Sequence, residues 1–283
     1  MKRLLFYSLF VLTLLAVPSC GDDDDDEPGG SQDNVYVAKP FSVSETTQVL
    51  FSSGNLQYHC KNKVWRFAPL QYDNIGYANS HISDGYNGYI DLFGWGTGDN
   101  PTLSSYDYRD YATFTDWGSK MVDGNLWRTL SIDEWKYLMT KREKASEKFG
   151  EAEVSGIHGL ILLPDDWTLP EGLSFDSGKT EVSNGATRKI YKEKNCYSSE
   201  DWQKMESSGA VFLPAEESRV STIVHVARNE DFGGSYWSST AYDSNDEWCA
   251  YAFSFSVGSD YYYYPFLFSQ RFLGHSVRLV RSL

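Results

Sequence analysis

The histidines and serines of this 283-residue chain do not form the spacings that zinc or serine hydrolases need. No two of the five histidines are four residues apart, and no H-E-x-x-H segment is present, so the paired ligands of a helical zinc site are missing. No G-x-S-x-G turn is present that would expose a nucleophilic serine. We therefore interpret the histidines as structural or surface residues. The five are His59, His81, His158, His225 and His275.

One short segment is rich in oxygen ligands. Asp243, Asn245, Asp246 and Glu247 fall within five residues, and carboxylate and amide oxygens are the ligands that Ca²⁺ prefers. The segment lacks the glycine of a calcium loop. A solvated acidic turn between strands is the simpler interpretation, and a Ca²⁺ site is the alternative. No other cofactor is expected.

Tyrosine is the other residue type that points to recognition. The chain has 20 Tyr, 16 Phe and 9 Trp. Tyr261, Tyr262, Tyr263 and Tyr264 are consecutive, so on a strand they point to both faces and at least two of them meet solvent. Tyrosine is rigid and amphipathic, which suits a binding surface. These four and Tyr242 are the candidate ligand-binding residues; a tyrosine-covered sheet without a ligand is the alternative.

The N-terminus has the pattern of an export signal. Lys2 and Arg3 precede residues 4–17, a mainly apolar stretch too short to span a bilayer. Small residues then lead to Cys20, which resembles the lipobox of bacterial lipoproteins, in which the cysteine is acylated. We expect residues 1–19 to be a signal peptide and Cys20 to be lipidated. An ordinary secretory signal with a chance cysteine is the alternative.

The segment after Cys20 is acidic and lacks apolar residues to bury. Residues 22–26 are five aspartates, so residues 20–34 are expected to form an acylated, extended tether. This run resembles the export signal that sends Bacteroidota lipoproteins to the surface of the outer membrane; a plain spacer is the alternative. Removing Lys2 and Arg3 takes the formal charge from −14 to −16, which repels nucleic acid.

Strands dominate the rest of the chain. Residues 48–51, 64–67 and 251–257 have strand composition, and the last run alternates large and small side chains. A capping box at Ser131 and Glu134 predicts a helix to about Ser146, with a buried face that contains Trp135. A shorter helix is predicted after Ser198 or Ser199. We expect its buried side chains to be Trp202 and Met205. Trp65, Trp127, Trp135 and Trp237 lie in apolar runs and are predicted to be core residues.

These elements resemble a known family. The run W-R-T-L-S-I-D-E-W-K-Y-L at 127–138 is similar to a segment shared by formylglycine-generating, sulfatase-modifying proteins and the Fibrobacter succinogenes major paralogous domain. The runs G-S-Y-W-S-S-T at 234–240 and G-H-S-V-R-L-V at 274–280 resemble the ending of the latter. The resemblance implies a single α+β, C-type-lectin-like domain over residues 35–283. It also implies small twisted antiparallel sheets, one or two helices and long loops.

Departures from the family argue against its chemistry. Formylglycine-generating enzymes use two cysteines in their C-terminal part, where this chain has only Cys249, so the redox pair is missing. Together with Cys60 and Cys196, Cys249 gives the domain three cysteines, which allow at most one disulfide. The sugar motifs of C-type lectins, E-P-N, Q-P-D and W-N-D, are also absent. We expect a non-enzymatic, lipid-anchored surface protein that binds a glycan or a host or matrix protein. A structural component of a surface assembly and an enzyme on the sulfatase-modifying scaffold are the alternatives.

Overall fold

A computed structural model of the chain describes residues 37–121, 126–216, 218–225, 232–242, 247–257 and 265–283, all within the unit Asn34–Leu283. The α-helices in these residues are α1 (Ile132–Thr140) and α2 (Ser199–Ser207). The strands are β1 (Phe41–Ser42), β2 (Gln48–Phe51), β3 (Leu56–His59), β4 (Val64–Phe67), β5 (Tyr89–Ile90), β6 (Trp127–Thr129), β7 (Phe149–Val154), β8 (Ile157–Leu162), β9 (Lys179–Ser183), β10 (Ala186–Ile190), β11 (Asn195–Tyr197), β12 (Val211–Pro214), β13 (Ser218–Val220), β14 (Ile223–His225), β15 (Phe232–Ala241), β16 (Cys249–Val257), β17 (Phe266–Gln270), β18 (Leu273–Gly274) and β19 (Leu279–Ser282). Short 3-10 helices include Gly76–His81, Tyr108–Tyr111, Trp117–Lys120 and Ala145–Glu147.

The strands form several small sheets, and the fold class is α+β. Strand order is β1-β2-β19-β6 in one four-stranded sheet and β11-β7-β8-β12 in another. Three-stranded sheets have the orders β4-β3-β5, β14-β13-β18 and β15-β16-β17, and β9 pairs with β10. Neighbouring strands are antiparallel except for β11 and β7. None of the described helices is long and apolar enough to cross a bilayer.

The capping box begins α1 as predicted. The Ser131 hydroxyl accepts from the Glu134 N–H at 3.2 Å, and the Glu134 carboxylate accepts from the Ser131 N–H at 2.8 Å. The predicted end near Ser146 is wrong, because the helix stops at Thr140. There the Arg142 side chain caps the helix by donating from Nε to the Leu138 carbonyl at 2.8 Å.

Helix α2 also begins where the sequence predicted. The Ser198 hydroxyl accepts from the Asp201 N–H at 3.2 Å and so caps the first turn. Trp202 and Met205 are buried, as predicted. Both helices therefore follow from local patterns.

Tryptophan fills two of the hydrophobic cores. Trp135 lies in the core between α1 and the β15-β16-β17 sheet, with Phe253 stacked on it at 4.7 Å between ring centroids. Trp127 and Trp237 lie in a second core. All three are buried as predicted, whereas Trp65 is only partly buried at the edge of the second core. Strand β4 is an edge strand of the β4-β3-β5 sheet and none of its residues is fully buried, which accounts for that difference.

Asp165 follows β8, and its side chain bonds to residues near the start of the domain. Its carboxylate accepts from the Ser42 N–H and hydroxyl, both at 2.7 Å, from Gln48 Nε2 at 3.1 Å and from the buried Arg142 at 3.3 Å. Burial raises the pKa of Asp165, but hydrogen bonds from Ser42 and Gln48 and the charge of Arg142 lower it by more, so the net shift is downward.

Asp165→Ala is expected to lower the free energy of unfolding by about 3 kcal/mol, because it leaves the Arg142 charge and the Ser42 N–H short of an acceptor. Asp166→Ala is the matched control. That neighbouring side chain is 81% exposed and makes one ion pair, with Lys39 at 3.2 Å, so its loss costs about 0.5 kcal/mol or less. Urea unfolding measures both. Equal losses in the two variants would contradict the role given to Asp165.

Candidate functional site

The candidate site lies at one end of the β15–β16 hairpin. The Tyr242 N–H donates to the Cys249 carbonyl at 3.2 Å and closes the hairpin. Tyr242 is the last described residue before the turn, and Glu247 is the first after it. The two sides of this turn each carry an aromatic group to the surface.

Tyr242 is one of three rings on the first side. Its ring centroid is 4.5 Å from that of Phe268 and 5.3 Å from that of Tyr251. Tyr251 and Phe268 are direct cross-strand partners in β16 and β17, so their side chains share a face of the sheet. Phe268 is 50% exposed. The β16–β17 register therefore produces a half-exposed aromatic patch around Tyr242.

Trp248 is the aromatic residue on the second side of the turn. It is 52% exposed, and its ring stacks on Tyr108 with centroids 4.6 Å apart and planes inclined by 14°. Tyr108 begins a 3-10 helix whose preceding residue, Asp107, accepts from the Arg109 N–H at 3.0 Å. Hydrogen bonds from Arg109 lower the pKa of Asp107 to about 2, so the carboxylate that caps this helix stays charged. The stack presents a pre-ordered aromatic surface to solvent.

Arg271 fixes the backbone beneath Trp248. Its N–H donates to the Trp248 carbonyl at 2.9 Å and its Nε donates to the Cys249 carbonyl at 3.0 Å. The guanidinium also lies 4.5 Å from the ring centroid of Trp95. Trp95 in turn donates from Nε1 to the Ser238 carbonyl at 2.9 Å. These hydrogen bonds hold the backbone that carries Trp248. We call the two aromatic groups together the hairpin-end site, which comprises Tyr108, Tyr242, Trp248, Tyr251 and Phe268.

The structure places only part of the predicted site. Tyr242 belongs to the hairpin-end site, and Glu247 is exposed beside Trp248. The other predicted residues lie outside the described parts of the chain. They are Cys20, Asp243, Asn245, Asp246, Tyr261, Tyr262, Tyr263 and Tyr264.

Among the described residues, few side chains could bind a metal ion or take part in redox chemistry. In the described ranges no group of three His, Cys, Asp or Glu side chains could hold a metal ion. Cys60, Cys196 and Cys249 form no disulfide with one another. His275 is buried against Trp237, and burial lowers its pKa to about 3, so it is neutral at physiological pH.

Sequence reasoning missed Trp248 and Tyr108. A signal was present: Trp248 follows Glu247 and an acidic segment, unlike the tryptophans in apolar runs, and Tyr108 lies between Asp107 and Arg109. Charged neighbours favour a surface position. That the two rings stack on each other could not be read from the sequence, because they lie far apart in it.

A buried pair of carboxyl groups is the strongest electrostatic feature elsewhere in the domain. Asp91 accepts from Asn79 Nδ2 and from the Ile75 N–H, each at 2.8 Å, while Glu216 accepts from the Ser276 hydroxyl at 3.1 Å. Burial raises the pKa of both groups, and the charge of Asp91 raises that of Glu216 further. Glu216 therefore favours its protonated form beside Asp91. Because both are buried and bonded to protein, we assign the pair a structural role.

Glu216→Gln is expected to flatten the dependence of stability on pH. A carboxyl whose pKa is higher in the folded than in the unfolded protein contributes most below the unfolded pKa, about 4, and that contribution falls as pH rises. A glutamine side chain has no proton to lose, so the variant gains stability relative to the native chain as the pH rises above about 4. Urea unfolding as a function of pH measures the gain. The exposed Glu45→Gln is the control, and parallel curves for native chain and Glu216→Gln would contradict the raised pKa of Glu216.

Comparisons with known proteins assign no family. No protein-family model, no curated protein and no solved structure matches the chain. What the protein does is therefore inferred from its own residues.

Proposed function

We propose that this chain is a non-enzymatic lipoprotein of the outer-membrane surface that binds an extracellular glycan through the hairpin-end site. Cys20 carries the lipid, and the acidic segment that follows holds the domain away from the membrane. The aspartate run supports the outward-facing leaflet. A host or matrix protein is the other ligand class that such a surface fits.

A C-type-lectin-like fold is part of this proposal. Several features agree with it: small antiparallel sheets, two short helices, and the pairing of β2, near the start of the domain, with β19 at its end. The segment at 127–138, which carries the family resemblance, forms β6 and most of α1. These features support the proposal, and the matching motifs at 234–240 and 274–280 add to it.

The single observation that carries the function is the Trp248–Tyr108 stack. Exposing half of an indole to water is unfavourable, and the protein also fixes that ring on a second one. A rigid, half-exposed aromatic face loses little entropy on binding, and it matches the apolar C–H face of a sugar ring. Tyr242 and Phe268 form a separate aromatic patch, because side chains alternate along residues 248–251 and place Trp248 and Tyr251 on opposite faces of the sheet.

A glycan array tests the proposal. The probe is the chain from residue 35 onward, together with its Trp248→Ala variant, with and without Ca²⁺; immobilised matrix proteins are included on the same slides. We expect binding that Trp248→Ala removes, and a Ca²⁺ requirement would implicate Asp243, Asn245, Asp246 and Glu247. Tyr77→Ala, which removes a 69% exposed ring from a different element, is the control. A native chain that binds neither glycan nor matrix protein would refute the proposal.

A further inference from the structure

A cavity of about 290 Å³ lies away from the turn of the β15–β16 hairpin. It is enclosed by the C-terminal end of α1, the 3-10 helix Ala145–Glu147, the β9–β10 hairpin and the start of β17. Ligand pockets in proteins begin at about 300 Å³, so this volume suits a small ligand.

Aromatic rings form the apolar part of the cavity lining. Phe149 and Phe253 are buried, and Phe266 is half-buried with its ring centroid 6.1 Å from that of Phe253. Phe253 is held from behind by its stack on Trp135, and the Lys189 ammonium lies 3.9 Å from the Phe149 ring centroid. The apolar wall is therefore fixed before any ligand arrives.

Hydroxyl groups form much of the polar part. Thr140, Ser146, Thr180 and Thr187 line the cavity. The Thr140 hydroxyl donates to the Lys136 carbonyl at 2.6 Å, which leaves its oxygen able to accept. The Thr180 hydroxyl is sealed from solvent and has no hydrogen-bond partner among the described residues. Because that oxygen is not accessible from the cavity, the candidate partners for a ligand are the hydroxyls of Thr140, Ser146 and Thr187.

The cavity has no available charge in its described lining. Arg142 is its ionisable residue, and that guanidinium is 1% exposed and already donates to the Leu163 carbonyl at 2.9 Å and to Asp165 at 3.3 Å. The nearby Lys189 ammonium donates to the carbonyls of Ser146 and Phe149. An anionic ligand would therefore find no free cation to pair with in this lining. A purely apolar ligand would leave the hydroxyl groups without partners.

We propose that this cavity binds a single neutral sugar ring, with an apolar face against the phenylalanines and hydroxyl groups toward the threonines. The inference does not depend on the hairpin-end site, because no residue of that site lines the cavity. It adds a subsite for one ring of a glycan, or for a free monosaccharide.

Saturation-transfer NMR on the chain from residue 35 onward tests the proposal with glucose, galactose, mannose, fucose and N-acetylglucosamine, and with glucuronic acid as the charged comparator. At least one neutral sugar is expected to bind saturably, and glucuronic acid is not. Thr140→Val and Thr187→Val each remove one hydroxyl at nearly constant volume. Each is expected to weaken binding about threefold to tenfold.

Two further variants locate the binding. Thr46→Val removes an exposed hydroxyl outside the cavity and is expected to leave the affinity unchanged, as is Tyr77→Ala. Thermal melts monitored by circular dichroism confirm that each variant folds. No saturable binding of any neutral sugar would overturn the inference, as would native affinity in both threonine-to-valine cavity variants.

Discussion

Trp135→Ala is expected to lower the free energy of unfolding by about 3–5 kcal/mol, one of the two largest effects that follow from this structure. The indole is 1% exposed, stacks on Phe253, and lies 6.1 Å from Phe51 between ring centroids. Its N–H has no partner in the described residues, so its contribution is packing. Alanine leaves a cavity between α1 and the β15-β16-β17 sheet. Urea unfolding followed by far-ultraviolet circular dichroism measures the loss.

Trp248→Ala is the matched control for that measurement. The same side chain is removed, but from a position that is 52% exposed, so the expected cost is about 1 kcal/mol or less. The difference between the two losses in free energy of unfolding distinguishes a tryptophan that stabilises the core from one that is free to contact a ligand. Similar losses in the two variants would contradict the assignment of Trp248 to a surface site.

Cys20→Ala is expected to change the protein from membrane-bound to soluble. Each buried methylene of an acyl chain contributes about 0.8 kcal/mol to membrane binding, and alanine cannot be acylated. Phase partition in Triton X-114 measures the change, and mass spectrometry of the native protein is expected to show a lipidated N-terminus at residue 20. Cys196→Ala removes an exposed cysteine of the domain and is expected to remain in the detergent phase. Cys20→Ala protein that stays with the membrane would contradict lipidation at this residue.

Local patterns predicted the helices and much of the core. The Ser131–Glu134 capping box and the buried face with Trp135 depend only on residues within about two turns of one another. Ser198 and the inward Trp202 followed from the same reasoning. These predictions succeeded because the helical period brings near neighbours together. The predicted end of α1 failed because Arg142 closes the helix: its backbone N–H bonds to the Tyr137 carbonyl and its side chain to the Leu138 carbonyl.

Long-range contacts could not be predicted from the sequence. Burial beside Asp91 raises the pKa of Glu216, although each residue looks in the sequence like an ordinary acidic residue near a strand. Asp165 bonds to Ser42, and no periodicity connects positions so far apart. The hairpin-end site depends on the same kind of contact, because Trp248 becomes a platform only when Tyr108 is folded beneath it.

The most direct test of the central claim is the dissociation constant of the strongest ligand on the array, measured by calorimetry for native chain, Trp248→Ala and Tyr77→Ala. Removing a central aromatic contact costs at least about 2 kcal/mol in typical interfaces, so Trp248→Ala is expected to bind about 30-fold more weakly or worse. Tyr77→Ala should bind like the native chain. Native affinity in Trp248→Ala would contradict the claim that the hairpin-end site holds the ligand.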